Sequence, residues 1–417
     1  MTRELDIVLF GATGFVGRLT AQHLAEHAGD DVRIGLAGRS RTRLEQVRAS
    51  LPARCAQWPL VVVDAADEIA VGELAARTAV VCTTVGPYAK YGLPLVAACA
   101  AAGTHYCDLT GEVLFVRDAI DRHHDQAVST GARIVTSCGF DSIPSDLGVL
   151  VTADQVAADG AGTLGETLLH VRRLRGGISG GTIDSAREQA KAMAADPDRR
   201  RIAASGHSLS PDRDAEPPAR ARPPAPKSPV GALAQRIPAR VDPITGRWVA
   251  PFFMASHNTR IVRRSNSLSQ WSYGRDFRYD EVMDTGRGVE GAVRAGLTSL
   301  ALAAIFGGMS FGPTRRVLDQ VLPKPGEGPS PARMARGLFV MEIETTTTTG
   351  ARYRTRVAAP YDPGYSGTAI MLGQSALCLA RDDLTSPGGV LTPAVAMGQA
   401  LVDRLRRFDF AFVPERL

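Results

Sequence analysis

Through the first 150 residues, short apolar runs alternate with segments of helical period. Strand-like runs lie at 7–10, 32–37, 60–63, 80–83, 105–109 and 133–136. Between them, residues 40–51 carry Leu44, Val47 and Leu51 on one face, residues 93–102 are Ala-rich and stop at Gly103, and residues 112–130 are polar along one side and stop at Gly131. Strands that alternate with helices in this way build a parallel sheet covered on both faces. The pattern predicts an α/β fold, a Rossmann-type doubly wound parallel sheet over 1–150.

After Leu150 the alternation weakens. Residues 196–243 are rich in Pro and Arg, with Pro217-Pro218 and Pro223-Pro224-Ala225-Pro226 at their centre. Such a composition cannot bury a core and should leave the segment loosely draped. Strand and helix signals resume at Trp248 without a new nucleating motif, so the segment reads as an excursion within a second domain. There, 339–349 alternates and is rich in β-branched residues, Gly350 turns the chain, and 353–357 alternates again. This predicts a hairpin in an antiparallel sheet. Residues 369–380 and 393–406 read as helices, the first apolar enough to lie in an interior.

Composition narrows the class. With 417 residues there is room for two cores, and 44% hydrophobic with 22% charged residues excludes disorder throughout. The formal net charge of +5 is a small surplus, and no basic patch is interleaved with aromatics, so nucleic acid is not an expected partner. Cys55, Cys82, Cys99, Cys107, Cys138 and Cys378 show no C-x-x-C spacing, and most sit in apolar runs where a reduced thiol packs as a small hydrophobe. Residues 1–10 read as a strand rather than a leader, which makes a cytoplasmic chain the expectation. No run reaches the roughly eighteen apolar residues of a membrane span. The nearest, 295–306, reads as a buried core helix or, in the alternative, as a peripheral lipid contact.

The first strand runs straight into Gly11-Ala12-Thr13-Gly14-Phe15-Val16-Gly17 and then into a helix-like segment from Arg18. That order describes a dinucleotide site. Gly11 permits the tight turn, Gly14 lets the backbone approach a pyrophosphate, and Gly17 lets helix and strand pack closely. Thr13, Phe15 and Val16 complete the turn, and the helix N-terminus offers N–H groups to the phosphates. An ordinary βα turn would explain Gly11 but not all three glycines.

An NAD site ends its second strand in an acidic residue that binds the ribose 2′-OH. Here Arg39 and Ser40 stand in that place, with Arg41 and Arg43 close behind. A guanidinium fork matches a 2′-phosphate, so the expected cofactor is NADP. Asp64 follows the third strand, where it would bond the adenine amino group or cap the next helix. Thr83, Thr84 and Gly86 come off the fourth strand and would line the nicotinamide-side ribose, unless Gly86-Pro87 is only a sharp turn.

Outside the first domain, residues 176–185 form a second glycine-rich loop before a helix. Ser179, Gly180, Gly181 and Thr182 would present N–H groups to an anion there, against the simpler reading of a flexible turn with a Ser/Thr cap. Asp141 and Ser142 read as the cap of a helix that starts near Pro144. None of the eight histidines has a metal-ligand spacing, and no metal is expected.

These motifs resemble those of the saccharopine dehydrogenase-like oxidoreductases, and more closely the mycobacterial trans-acting enoyl reductases. The resemblance spans nearly the whole chain. Besides the glycine turn it includes Thr84-Val85-Gly86-Pro87-Tyr88 with Tyr91-Gly92-Leu93-Pro94, Asp108-Leu109-Thr110-Gly111-Glu112, and Cys138-Gly139-Phe140-Asp141-Ser142-Ile143-Pro144. Gly180-Gly181-Thr182-Ile183, the run from Asn258 to Asn266, and Gly389-Val390-Leu391-Thr392-Pro393 extend it.

The resemblance implies an NADP-binding domain over 1–150, a substrate-binding α+β domain over 151–358, and a segment over 359–417 that returns to the first domain. It further implies an NADPH-dependent reductase of an enoyl thioester borne by the acyl carrier domain of a polyketide synthase, in phthiocerol and phenolphthiocerol lipid biosynthesis. A homo-oligomer stays open. The alternatives are a saccharopine-type dehydrogenase, for which Arg263 and Arg264 would hold two carboxylates, and a non-catalytic NADP-binding protein associated with lipid.

Conjugate reduction needs a donor to the thioester carbonyl and a proton for the α-carbon. No tyrosine is followed by lysine four residues on, which disfavours the short-chain dehydrogenase mechanism. Tyr88, on the loop beside the expected nicotinamide position, is the first candidate for the donor, with Lys90 favouring charge on a neighbouring oxygen. The competing reading of Tyr88 is a buried structural tyrosine.

Overall fold

The computed structural model describes residues 3–177, 180–217, 239–242, 245–310 and 328–417. Leu5–Phe10 (β1) is an interior strand of the first sheet, and its LDIVLF run is buried on nearly every side chain, as a strand covered on both faces requires. Ile34–Gly38 (β2) and Leu60–Val62 (β3) add to one side of it, and Thr78–Thr83 (β4), His105–Cys107 (β5) and Arg133–Val135 (β6) to the other. Every pairing is parallel, with Ile7 opposite both Ile34 and Val80. The strand order reverses beside β1, and a crevice opens there at the carboxyl ends of the strands.

The second sheet takes Leu164–Arg175 (β7), Arg240–Val241 (β8), Trp248–Pro251 (β9), Arg278–Gly286 (β10), Leu338–Thr347 (β11) and Arg352–Ala359 (β12). Gly389–Leu391 (β13) then joins the first sheet beside β6, and Ala411–Arg416 (β14) closes the second beside β12. The resulting orders are β13-β6-β5-β4-β1-β2-β3 and β14-β12-β11-β7-β10-β9-β8. β11 and β12 form the hairpin, with Phe339 opposite Ala359 and Gly350 at φ +86° in its turn. The second sheet is mixed rather than purely antiparallel, because β7 and β10 run parallel. Their long connection passes through the Ala255–Leu268 helix, which lets the chain re-enter the sheet in the same direction.

The C-terminal segment ties the two sheets together. The Ser366–Arg381 helix packs on the Phe15–His27 helix and on β4 and β5, while β14 ends the chain in the other sheet. The expected 393–406 helix is two helices, Pro393–Ala396 and Gly398–Arg406, separated where Gly398 takes φ +48°. All six cysteines are free and buried.

Two expectations are corrected. Residues 196–217 are not loosely draped. Asp196 caps the Pro197–Ala204 helix, Arg199 pairs with Asp118 at 2.7 Å, and Leu209 is only 1% exposed within the core beneath the first sheet. The carbonyls of Ser208 and Leu209 also accept hydrogen bonds from Arg117 and Arg264. Composition hides this because one leucine and a few carbonyls suffice to anchor the strap; residues 218–238 and 243 lie outside the described residues. Nor is 295–306 a core helix. The Gly288–Ser310 helix rests on β9 and β10 through Ala295, whereas Val289, Val293, Leu297 and Leu300 stay 55–82% exposed. Its Gly288–Ile305 stretch is long and apolar enough to cross a membrane by length and composition.

Candidate active site

A cleft of about 430 Å³ lies between the carboxyl ends of the first sheet and the second domain, within the range of a small-molecule site. Gly14, Phe15, Val16, Gly17 and Arg39 line one end, and Thr84, Gly86 and Tyr88 the next part. Gly11 sits at φ +92°, and a Cβ there would lie 2.7 Å from Thr84 Oγ1. Thr84 instead donates its hydroxyl to the Gly11 carbonyl at 3.0 Å, which locks the two loops together. A Cβ on Gly17 would stand 2.1 Å from the same carbonyl oxygen, so only glycine lets the helix start this close to the strand. Gly14 is the N-cap of the Phe15–His27 helix and brings no side chain to satisfy its first amides. A turn of this kind fits a pyrophosphate. Phe15 stands edge-on to Tyr365 at 5.0 Å, and the Thr13 carbonyl accepts from Arg18 at 2.8 Å.

Arg39 is exposed on the cleft and pairs with no acid among the described residues. Arg41 is engaged with Glu45 at 3.3 Å, and Ser40 caps the Arg41–Ser50 helix by accepting the Arg43 amide. The guanidinium at the end of β2 lines the cleft and is open to an anion. Asp64 accepts the Ala66 amide in a local turn, while the helix cap belongs to Asp67. The Thr83 hydroxyl accepts the Val85 amide and shapes the loop from within, and Thr83 does not reach the cleft.

The geometry engages both catalytic candidates in contacts of their own. The Tyr88 hydroxyl donates to the Thr83 carbonyl at 3.2 Å and accepts the Leu109 amide at 3.4 Å, and the residue is 3% exposed. Burial pushes its phenol well above the usual tyrosine range, with Asp108 adding to the effect. Tyr88 is a buried strut of the cleft wall. Lys90 is exposed and lies over the Tyr91 ring at 5.0 Å, away from the cleft lining. Both residues belong to the first turn of the Tyr88–Ala102 helix, whose amides at 88 and 89 donate to Glu112 at 2.8 and 2.7 Å. That carboxylate cap starts the helix five residues before its apolar pattern does.

Three polar groups line the cleft that the sequence did not assign to it. Ser185 donates to Glu112 at 2.6 Å and so joins the second domain to the first. It belongs to the Gly180–Ala195 helix, whose opening residues Gly180, Gly181 and Thr182 also line the cleft; Ser179 lies outside the described residues. His257 is 2% exposed, with Nε2 2.9 Å from Ser137 Oγ and Nδ1 without a partner among the described residues. Burial, and then Arg260, lower its pKa to about 3, so the imidazole is neutral. Ser137 is held at φ +66° by the carboxylate of Asp108, which accepts its amide at 2.9 Å and those of Thr110 and the Tyr106 hydroxyl. Asp141 is the third group. It makes no hydrogen bond or ion pair among the described residues, and the helix Ile143–Ala158 has no side-chain cap, so the expected capping role is absent.

Comparison with known proteins places this cleft in a lineage. Residues 7–135 match the saccharopine dehydrogenase NADP binding domain. A trans-acting enoyl reductase of Mycobacterium bovis is 48% identical over 409 residues, covering 97% of this chain and 96% of the relative. The Mycobacterium leprae protein of that name is 47% identical with the same coverage. A Mycobacterium tuberculosis protein named provisionally for the same activity is 50% identical over 413 residues, again 97% and 96%. The chain belongs to the family of the mycobacterial trans-acting enoyl reductases. Among solved structures, saccharopine dehydrogenase (L-Glu forming) from Saccharomyces cerevisiae superposes with a TM-score of 0.57 at 13% identity over 99% of both chains. Homospermidine synthase from Legionella pneumophila, in complex with NAD, gives 0.50 at 9% identity over 99% of this chain and 92% of that one. These two share the fold.

In this family member the glycine turn, Arg39, Thr84 and Gly86 come together in one cleft with Gly180–Thr182, while Asp64, exposed, and Thr83, buried, are not among its lining residues. The saccharopine-type alternative loses its arginines. Arg264 is buried with its guanidinium on the Leu209 and Val390 carbonyls, and Arg263 bonds those of Gly206 and Tyr279; neither lines the cleft. His257 and Asp141 were both within quoted or neighbouring motifs. Only the pairing of the two domains shows that they face one space.

Proposed function

We propose that the protein is an NADPH-dependent enoyl reductase that acts in trans on a carrier-bound polyketide or fatty acyl thioester, in lipid biosynthesis of the phthiocerol and phenolphthiocerol type. The observation that carries it is the near full-length identity to proteins named for that activity, over a chain whose cleft joins an NADP turn to a second-domain helix N-terminus. NADPH, when bound, supplies the hydride. The amides of Gly14–Gly17 hold its pyrophosphate, Arg39 and Ser40 its 2′-phosphate, Asp64 its adenine amino group, and Thr84 and Gly86 the nicotinamide-side ribose. Gly180, Gly181 and Thr182, with Ser179, hold the phosphopantetheine phosphate or the thioester carbonyl. Phe253, Met254 and Tyr365 close the cleft against water. Neutral His257, with Nε2 on the Ser137 hydroxyl, stands in the cleft wall as a polar neighbour of the substrate.

The test is NADPH oxidation with an enoyl carrier-protein thioester beside saccharopine. Turnover of the thioester alone supports the proposal, and turnover of saccharopine alone replaces it with the amino-acid reaction. A peripheral contact with lipid is a second reading, favoured by the exposed Val289, Val293, Leu297 and Leu300. Flotation with liposomes that Leu297→Glu abolishes supports that contact.

A further inference from the structure

We propose that Asp141 is the proton donor to the α-carbon in this reduction. The inference rests on the enoyl reductase reading and names the residue that completes it. Three observations converge on the carboxyl group. It comes from the loop after β6, at the carboxyl edge of the sheet and two strands from the Thr84–Pro87 loop, so it stands on the same rim as the candidate nicotinamide contacts. It is exposed only in part, where the cleft meets the smaller hollow lined by Phe140, Thr182 and Phe253. And among the described residues it makes no hydrogen bond or ion pair that would commit it to structure, unlike three other buried acids. Asp108, Asp146 and Glu281 each accept at least two hydrogen bonds.

Gly111 explains why the group can face the cleft. A side chain at 111 would meet Met254 at 3.1 Å and Asp141 Oδ2 at 3.4 Å, so the glycine leaves room beside the carboxyl. Burial alone pushes the carboxyl up to about 7, and no charged neighbour contributes a resolved share. At neutral pH a substantial fraction of such a group is the protonated acid, the form that can donate. The titratable and charged residues on the surrounding elements are Glu112 after β5, Asp184 at the start of the Gly180–Ala195 helix, His257 on the Ala255–Leu268 helix, Asp362 and Tyr365 before the Ser366–Arg381 helix, and Arg39 across the cleft. None is hydrogen-bonded to Asp141.

The step balances without another reagent. Hydride from the dihydronicotinamide forms the new C–H bond at the β-carbon, and the alkene electron pair moves to give an enolate across the α-carbon and carbonyl oxygen. The Asp141 O–H bond then breaks as the α-carbon–H bond forms. The resulting carboxylate recovers a proton from water at the cleft mouth. NADPH is oxidised and the alkene reduced.

Asp141→Asn keeps the shape and removes the acid. With an enoyl carrier-protein thioester, its kcat should fall by at least about 100-fold, the lower range for loss of a general acid, while NADPH affinity holds within about twofold. The native kcat should decline as pH rises through about 7. Asp141→Glu should restore part of the rate with a shifted pH limb, and it serves as the test if the Asn variant does not fold. In the unliganded protein, the carboxylic-acid infrared absorption titrating near pH 7, to which Asp108, Asp146 and Glu281 also contribute, should lose one component in Asp141→Asn. Native-like turnover and pH profile in both variants, or an unchanged infrared titration, overturn the assignment and leave the enoyl reductase reading in place. Native protein that binds NADPH but reduces no enoyl thioester overturns that reading, and the assignment with it.

Discussion

Replacing Arg39 with Ala separates NADPH from NADH by the one group that differs between them, the 2′-phosphate. Arg39 is exposed on the cleft and unpaired among the described residues, so it can meet a phosphate without first breaking an ion pair. Arg41 already holds Glu45, and neither Arg41 nor Arg43 lines the cleft as Arg39 does. A hydrogen bond to a charged group contributes about 1.5–3 kcal/mol, and solvent exposure places this one near the lower end, about 1.5–2 kcal/mol. At about 1.4 kcal/mol per decade, Arg39→Ala should raise the Kd for NADPH roughly 10- to 30-fold. The Kd for NADH should move by less than about twofold, because its bare hydroxyl gives the fork nothing to grip. Titrating nicotinamide fluorescence with both cofactors measures this, and the native preference for NADPH should shrink as salt rises. An equal loss for NADPH and NADH, or no loss for either, would refute the reasoning.

Other perturbations test other parts of the account. Gly17→Ala puts a Cβ 2.1 Å from the Gly11 carbonyl oxygen, so the helix must shift; stability should drop by about 1–3 kcal/mol in urea titrations and NADPH binding should fail, and an unchanged midpoint would contradict the packing argument. Leu209→Ala should cost about 2–5 kcal/mol if residues 196–217 belong to the core, against almost nothing if that strap is merely draped. Asp146 accepts bonds from Ser265 and the Ala394 amide, yet burial holds its carboxyl up at about 7. The folded protein therefore binds a proton that the unfolded chain releases near pH 4, so this group's contribution is fully present below about pH 4 and is lost as pH rises through about 7. Denaturation midpoints of Asp146→Asn should consequently fall less steeply over that interval than those of the native protein, and parallel slopes would contradict the sign.

The first domain was legible because its signals are local. Three glycines, an arginine at the end of β2 and alternating apolar runs each act within a few residues of where they are read. The site's interior depends on distant pairings, and there the pattern misleads. Tyr88 has the right place in the chain for a donor, but Thr83 and Leu109 capture its hydroxyl. Asp141 and Ser142 look like a helix cap, yet the helix starts without one and the carboxyl is left to the cleft. The 295–306 run is apolar enough for a core, but only one side of its helix meets β9 and β10, and composition cannot say which of two surfaces a helix will find. His257 carries no spacing signal at all; its place in the cleft wall shows only where Ser137 reaches it across 120 residues.

The most direct test of the central claim is to follow the hydride. Native protein would be mixed with an enoyl carrier-protein thioester and NADPH deuterated at C4, and the released acyl group analysed by mass spectrometry. The account predicts a saturated product with one deuterium at the β-carbon, derived from one face of the nicotinamide, and a solvent-derived hydrogen at the α-carbon. An unreduced thioester in the presence of saturating NADPH, or deuterium found anywhere other than the β-carbon, would contradict it.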